Sequence, residues 1–271
     1  MDLYNATLIG RMDITPQLAI FQVCADEKGI SFTPGQFTVL GLRYDAQRLS
    51  GADLEEELPP GKAQRLLRRA YSITSGSQQD RYLEFYISLI NSGQLTPRLF
   101  ALNIGARLFM GTAPKGVFTL DQVPIEQNLL LVATGTGLAP YMSMIRTLSL
   151  GQSCSTRPIA VLHGARYSWD LGYRGELESL ARHCPSFHYF PVVSRPQADP
   201  NWSGATGHLG DWLVNPTQLA EKIGFVTHPT HTHIFLCGNP DMIETTSTIL
   251  TEMGFNTGTR QEPGNLHIEK Y

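Results

Sequence analysis

Apolar and polar residues alternate along Ala19-Ile20-Phe21-Gln22-Val23 and again along Tyr82-Leu83-Glu84-Phe85-Tyr86-Ile87. A period of two sends successive side chains to opposite faces of a strand. Turn-forming residues punctuate the same region at Pro34-Gly35, Gly76, Asn91-Ser92-Gly93, Gly111 and Lys115-Gly116. Short strands separated in this way predict an antiparallel barrel or sandwich over roughly the first 120 residues. Residues 44–68 break the rhythm. They are polar, contain Glu55-Glu56-Glu57 and Pro59-Pro60-Gly61, and end in Arg65-Leu66-Leu67-Arg68. A connection this long is either functional or a solvated insertion.

Beyond about residue 125 the pattern changes to strand, turn and helix. Leu129-Leu130-Leu131-Val132-Ala133 is continuously apolar, as a parallel strand covered on both faces requires. Thr134-Gly135-Thr136-Gly137 follows, and then Pro140, which suits a first helical turn because its missing N–H would be unbonded there. Tyr141, Met144, Ile145 and Leu148 share one helical face. The unit repeats in Ile159-Ala160-Val161-Leu162-His163 with a helix around Glu176 to Arg182, and in a strand over Phe187 to Val193. It recurs in His233-Ile234-Phe235-Leu236-Cys237, followed by Gly238-Asn239-Pro240 and a helix through about Met253. Strands alternating with helices imply a parallel sheet with ligands at the carboxyl ends of its strands. The two patterns meet near residues 120–127, giving expected domains of 1–122 and 123–271.

Composition narrows the function classes. The chain of 271 residues is 42% hydrophobic and carries a net charge of −3, which fits globular domains and argues against a nucleic-acid binder. No apolar run approaches the roughly 18–20 residues of a membrane span. The start, Met1-Asp2-Leu3-Tyr4-Asn5, lacks the pattern of a signal peptide. Cys24, Cys154, Cys184 and Cys237 are spaced neither as a zinc site nor as an iron–sulfur run, so no metal is expected. Free thiols in a reducing cytoplasm are the simplest expectation.

Several short motifs carry possible chemistry. Gly135 and Gly137 permit a tight turn before a helix start, where free N–H groups favour a phosphate. The dinucleotide fingerprint would place a third glycine where Pro140 stands, so a structural turn explains the stretch as well as a cofactor does. Arg69-Ala70-Tyr71-Ser72 offers a forked cation for pyrophosphate, a ring for stacking and a hydroxyl. Alone it also reads as an edge strand with a surface arginine. In Gly93-Gln94-Leu95-Thr96-Pro97, Thr96 suits a helix cap or a phosphate ligand. Cys237 ends a strand of the parallel sheet, where it lines a crevice or is an inert buried thiol.

Taken together and in order, these motifs resemble the bacterial and plant-type ferredoxin–NADP reductase family. The stretches are Pro34-Gly35-Gln36-Phe37, Arg69-Ala70-Tyr71-Ser72, Gly93 to Pro97, Gly135-Thr136-Gly137 with Ala139-Pro140, Val193-Ser194-Arg195, Cys237-Gly238-Asn239-Pro240 and Leu266-His267-Ile268-Glu269-Lys270-Tyr271. The resemblance implies an antiparallel FAD-binding β-barrel followed by a Rossmann-like NADP-binding α/β domain. It implies that Arg69 and Thr96 hold the FAD pyrophosphate, that Tyr71 and Tyr271 cover the two flavin faces, and that Ser72 lies near flavin N5. Ala70, Tyr86, Ile87, Gln94, Leu95 and Thr136 complete the implied FAD set. For NADP(H) it implies Gly135, Gly137, Ala165, Arg166, Ser194, Arg195, His208, Cys237, Gly238, Asn239 and Asp241. Ser72, Cys237, Glu269 and Tyr271 are the implied catalytic residues, serving hydride transfer between nicotinamide C4 and flavin N5. His208 stands where bacterial members often have arginine, and histidine is charged only part of the time near neutral pH.

The resemblance further implies an acidic one-electron partner, ferredoxin or flavodoxin, which Arg65, Arg68 and Lys115 would steer. A monomer is expected, since no feature demands a dimer. Two rival readings use the same fold: a reductase component of an oxygenase or a free-flavin reductase, and a non-catalytic flavin- or nucleotide-binding subunit.

Overall fold

The computed structural model describes residues 3–27, 29–55, 61, 63–79, 81–149, 154–259 and 262–270. The chain divides into two compact units, Met1–Thr119 with Met142–Thr147, and Leu120–Tyr141 with Leu148–Tyr271.

The first unit contains β1 (Ala6–Thr15), β2 (Leu18–Ala25), β3 (Phe37–Arg43), β4 (Leu66–Ser72), β5 (Leu83–Ser88), the short helix α1 (Thr96–Phe100) and β6 (Arg107–Met110). The sheet order is β4-β3-β6-β1-β2-β5, and every neighbouring pair is antiparallel. The edge strands β4 and β5 meet through a bridge between Ile73 and Phe85, and Thr74 N–H donates to the Glu84 carbonyl at 2.8 Å. That contact curls the sheet toward a barrel, which removes its exposed edges. Leu8, Phe21, Leu40, Leu67, Phe85 and Leu99 fill the interior. β1 has no clean alternation because its register shifts between Leu8 and Gly10 and between Asp13 and Thr15. Each irregularity upsets the period of two, which hides the strand from a periodicity reading.

The second part of the chain contains β7 (Asn128–Thr134), α2 (Ala139–Ser149, of which Met142–Thr147 groups with the first unit), β8 (Ile159–Ala165), α3 (Arg174–His183), β9 (Phe187–Val193), β10 (Ala205–Thr206), α4 (Leu209–Leu213), α5 (Pro216–Ile223), β11 (Thr232–Gly238), α6 (Pro240–Glu252) and β12 (Leu266–Lys270). All strand pairs are parallel, in the order β10-β9-β8-β7-β11-β12. Leu130, Val132, Leu162 and Leu236 share one buried core cluster with Ile243 and Leu250 of α6. No described helix is long and apolar enough to cross a membrane.

One expectation is corrected. Cys154 and Cys184 are joined in a disulfide, with their Cα atoms 5.4 Å apart, and only Cys24 and Cys237 are free. The cause lies in the sheet. Cys154 precedes β8 and Cys184 precedes β9, and these neighbouring parallel strands begin at the same edge. Ile159 N–H donates to the Ser186 carbonyl at 2.8 Å, and Ser186 Oγ donates to the Ser155 carbonyl, so the two entering segments run side by side. A spacing of 30 residues gives no hint of this, because the crossover between the strands brings them together.

Candidate functional site

In the first unit the sequence-predicted residues gather where the barrel closes. Arg69 and Tyr71 lie on the face of β4 that carries Leu67 and continues to Ile73, while Ala70 and Ser72 alternate with them. Arg69 is exposed, and its Nη1 donates to the Arg68 carbonyl at 2.8 Å. Tyr71 is half-buried against the core, and burial pushes its phenol above the usual tyrosine range, with the Arg69 charge opposing. The ring is therefore neutral at physiological pH and suited to stacking. Ser72 is buried and pairs with Phe37 across β3. Tyr86 and Ile87 on β5 are buried, one and two positions beyond the bridge that joins Phe85 to Ile73.

The Gly93-Gln94-Leu95-Thr96 turn differs from a simple helix start. Leu95 occupies the N-cap position in a helical conformation, and no side chain caps α1. Thr96, expected as a possible cap, instead closes the turn on itself. Its Oγ1 accepts from Ile90 N–H at 3.0 Å and donates to the Ile90 carbonyl at 3.2 Å. The Leu95 side chain is buried in the barrel core, leaving only its backbone for a ligand. Arg68 lies with its guanidinium over the Phe109 ring, 4.4 Å from the centroid.

In the second unit two groups of residues lie at the carboxyl ends of neighbouring strands. One group sits at the ends of β7, β11 and β12. Gly135, Thr136 and Gly137 form a tight helical turn directly after β7. Gly135 has φ of +54°, and the space where a side chain would start is open. At Gly137 a side chain would run into the carbonyl of Cys237 and lie 2.7 Å from Gly238 Cα. The Thr134 hydroxyl accepts from Asn239 N–H at 2.9 Å, tying the two strand ends together. Asn239 then caps α6, its Oδ1 accepting from the N–H groups of Asp241 at 2.8 Å and Met242 at 3.2 Å. Cys237 is fully buried, and its Sγ lies 3.9 Å from Oε2 of half-buried Glu269 on β12. Tyr271 lies outside the described residues.

The other group sits at the ends of β8, β9 and β10. Backbone pairing continues past the strands: Ser194 N–H donates to the Ala165 carbonyl at 2.9 Å and Arg195 N–H to the Arg166 carbonyl at 3.0 Å. Arg166 and Arg195 are thereby neighbours, and both are exposed. Thr206 pairs with Val193, and Gly207 N–H donates to the Val193 carbonyl at 3.1 Å, which brings exposed His208 to the same edge. His208 opens α4, where the Asp211 carboxylate accepts its backbone N–H at 2.9 Å. Sequence reasoning overlooked Asp170. Burial raises its carboxyl above the usual range, an effect the Arg166 guanidinium offsets only in part.

The donor set fits the two groups that the resemblance implies. The closing edge of the barrel offers a guanidinium, a neutral aromatic ring and a hydroxyl. The sheet edge offers an open glycine turn beside a helix start and three basic side chains on consecutive strands. Among the described residues, no group of three or more His, Cys, Asp or Glu side chains could hold a metal ion.

Comparison with known proteins agrees with this fold. Residues 131–248 match the model of the oxidoreductase NAD-binding domain. The chain is 30% identical to the flavodoxin/ferredoxin–NADP reductase of Buchnera aphidicola (subsp. Baizongia pistaciae) over 93% of its own length and 92% of that protein's. It is 32% identical to the Escherichia coli protein of that name over 84% and 82% of the two chains. A crystal structure of a ferredoxin NADP+ reductase from Neisseria gonorrhoeae with bound FAD and NADP superimposes with a TM-score of 0.80 at 23% identity, covering 100% of this chain and 99% of the other, which shows the shared fold. Antiparallel barrel, parallel α/β unit and near-full-length similarity together make this chain an oxidoreductase of the ferredoxin/flavodoxin–NADP reductase family.

Proposed function

We propose that this chain transfers electrons between NADP(H) and a one-electron carrier protein, ferredoxin or flavodoxin, using FAD bound by residues 1–122 and NADP(H) bound by residues 123–271. The observation that carries the reading is the convergence of Arg166, Arg195 and His208 at the carboxyl ends of three consecutive strands. A cluster of this kind suits the extra phosphate that separates NADP from NAD.

When bound, FAD supplies the chemistry of taking two electrons as hydride and releasing them one at a time. The protein's own share is binding and orientation. Arg69 would neutralise the pyrophosphate, with the backbone of the Gly93–Thr96 turn as its companion. Tyr71 would lie flat against the isoalloxazine, and Ser72 would offer its hydroxyl to the ring. In the second unit, the Gly135–Gly137 turn and the start of α6 would receive the nucleotide phosphates, while Cys237 and Glu269 would face the nicotinamide. Exposed Arg65 and Lys115 would raise the encounter rate with an acidic partner.

The test is rapid mixing of the purified yellow protein with NADPH or NADH, followed by turnover with ferredoxin and with flavodoxin. Bleaching of the flavin by NADPH, with a carrier protein accepting the electrons, is the expected result. A flavin that NADPH leaves oxidised would overturn the reading.

A further inference from the structure

The first part of the loop that follows β3, residues 44–55, is not a solvated insertion: it is bonded to the Gly93–Thr96 turn by two arginines and one glutamate. Arg98 is almost fully buried, and its guanidinium grips both oxygens of Glu55, at 2.8 and 2.6 Å. The same guanidinium donates to the Tyr44 carbonyl, at 3.1 Å from Nε, and to the Gln94 carbonyl at 2.6 Å. Arg48 completes the clasp from the loop side. It pairs with Glu55 at 2.8 Å and donates to the carbonyls of Gly93 at 3.0 Å, Asp53 at 2.8 Å and Asn91 at 3.3 Å. Two backbone bonds reinforce the attachment, from Leu49 N–H to the Pro97 carbonyl at 2.9 Å and from Asp53 N–H to the Asn91 carbonyl at 3.2 Å.

The clasp has a directional consequence. Within a planar trans peptide the C=O and the following N–H point opposite ways. The Gly93 carbonyl is drawn to Arg48 and the Gln94 carbonyl to Arg98, so the N–H groups of Gln94 and Leu95 are aimed away from the clasp. Among the described residues these two N–H groups donate to no protein atom. Two adjacent free amides held in a fixed direction form an anion-binding concavity.

We infer that Arg48, Glu55 and Arg98 are positioning residues that hold the 93–96 turn in the conformation that receives a pyrophosphate. The inference rests on the FAD reading above and names the part of this chain that makes the turn competent. Loop 44–55 is thereby a working element of the dinucleotide site.

The experiment uses full-length apoprotein prepared by removing FAD, in the wild type and in Arg48→Met. FAD affinity is measured by flavin fluorescence, and 2′,5′-ADP affinity on the same samples serves as an internal control. The 31P resonances of bound FAD report the pyrophosphate directly. Arg48→Met is expected to weaken FAD binding by about tenfold or more, the range for losing charge-assisted hydrogen bonds. It should also move the pyrophosphate resonances and leave 2′,5′-ADP affinity within about twofold. A purely structural role would lower the melting midpoint without moving those resonances. Unchanged FAD affinity and unchanged 31P positions would overturn the inference while leaving the reductase reading intact. Wild-type apoprotein that fails to bind FAD would overturn both. If Arg48→Met does not fold, Arg48→Lys is read by the same measurements, because a single ammonium cannot serve Glu55 and three carbonyls together.

Discussion

Cys237 and Glu269 are register partners on neighbouring parallel strands, and the Cys237 thiol points at Oε2 of Glu269 across 3.9 Å. The thiol is fully buried and the carboxylate half-buried. In the proposed reaction Glu269→Gln keeps the shape and removes the charge. It is expected to lower kcat with NADPH by about tenfold or more while changing NADP+ affinity by less than about threefold. Steady-state kinetics beside a binding titration separate the two. Equal kcat in variant and wild type would remove Glu269 from the site.

The two glycines after β7 make different demands. An alanine at 137 would collide with the Cys237 carbonyl and the Gly238 backbone, neither of which can move without disturbing β11. An alanine at 135 meets open space and has only its positive φ to overcome. Gly137→Ala is therefore expected to destabilise the protein by about 2–3 kcal/mol, and Gly135→Ala by about 1 kcal/mol. Urea unfolding of both variants checks the order, and an inverted order would contradict the packing described for Gly137.

His208 is the histidine among the three basic side chains on its edge. Arginine in its place would carry a permanent charge and a forked donor set. His208→Arg is expected to tighten NADPH binding about threefold to tenfold with kcat unchanged, as for an interaction made equally in ground and transition states. The effect should vanish with NADH, which lacks the 2′-phosphate. A gain shared equally by both nucleotides would place His208 elsewhere than at that phosphate.

The Cys154–Cys184 bond closes a loop of 30 residues. Breaking it with Cys154→Ser is expected to cost about 3–4 kcal/mol, the scale for loops of that size. Thiol titration of the denatured, unreduced protein should count the two cysteines Cys24 and Cys237 and no others. Four reactive thiols would refute the linkage.

His163, His188, His233 and His267 are held below the ordinary value and tie stability to pH, His163 and His267 most strongly. Burial lowers His163 to about 3, and burial together with neighbouring His233 lowers His267 to about 4. Below the ordinary histidine value of about 6.5 the unfolded chain takes up protons that the folded chain refuses. Their contribution is therefore complete above about pH 6.5 and is lost as pH falls through the interval toward 4 and then 3. Urea unfolding at pH 7 and at pH 4.5 should show lower stability at the acid value, with a shallower loss in His163→Gln. His163 Nδ1 lies 3.0 Å from the Tyr189 hydroxyl, and glutamine preserves a polar partner for it. An identical slope in the variant would count against His163 as a source.

The local text of the chain carries more of the second unit than of the first. The apolar runs at 129–133, 159–163, 187–193 and 233–237 all became parallel strands, and Pro140 and Pro240 fell in first helical turns. Buried parallel strands need only a short apolar segment, which a local reading sees. In the barrel, the stretches at 19–23 and 82–87 were visible, whereas the bulged β1 was not. The candidate site residues were proposed from the ordered set of motifs, since each alone also fitted a structural role.

By itself, then, the sequence determined two kinds of fold grammar, the order of the motifs, and the residue types available to hold a dinucleotide at each. Tertiary structure alone decided which distant segments meet. The Ile73–Phe85 bridge set Ser72 beside the Tyr86 strand, the β8–β9 crossover drew Cys154 to Cys184, and Glu55 brought Arg48 and Arg98 onto the 93–96 turn. These pairings depend on strand register and loop closure across tens of residues, and neither leaves a periodic trace along the chain.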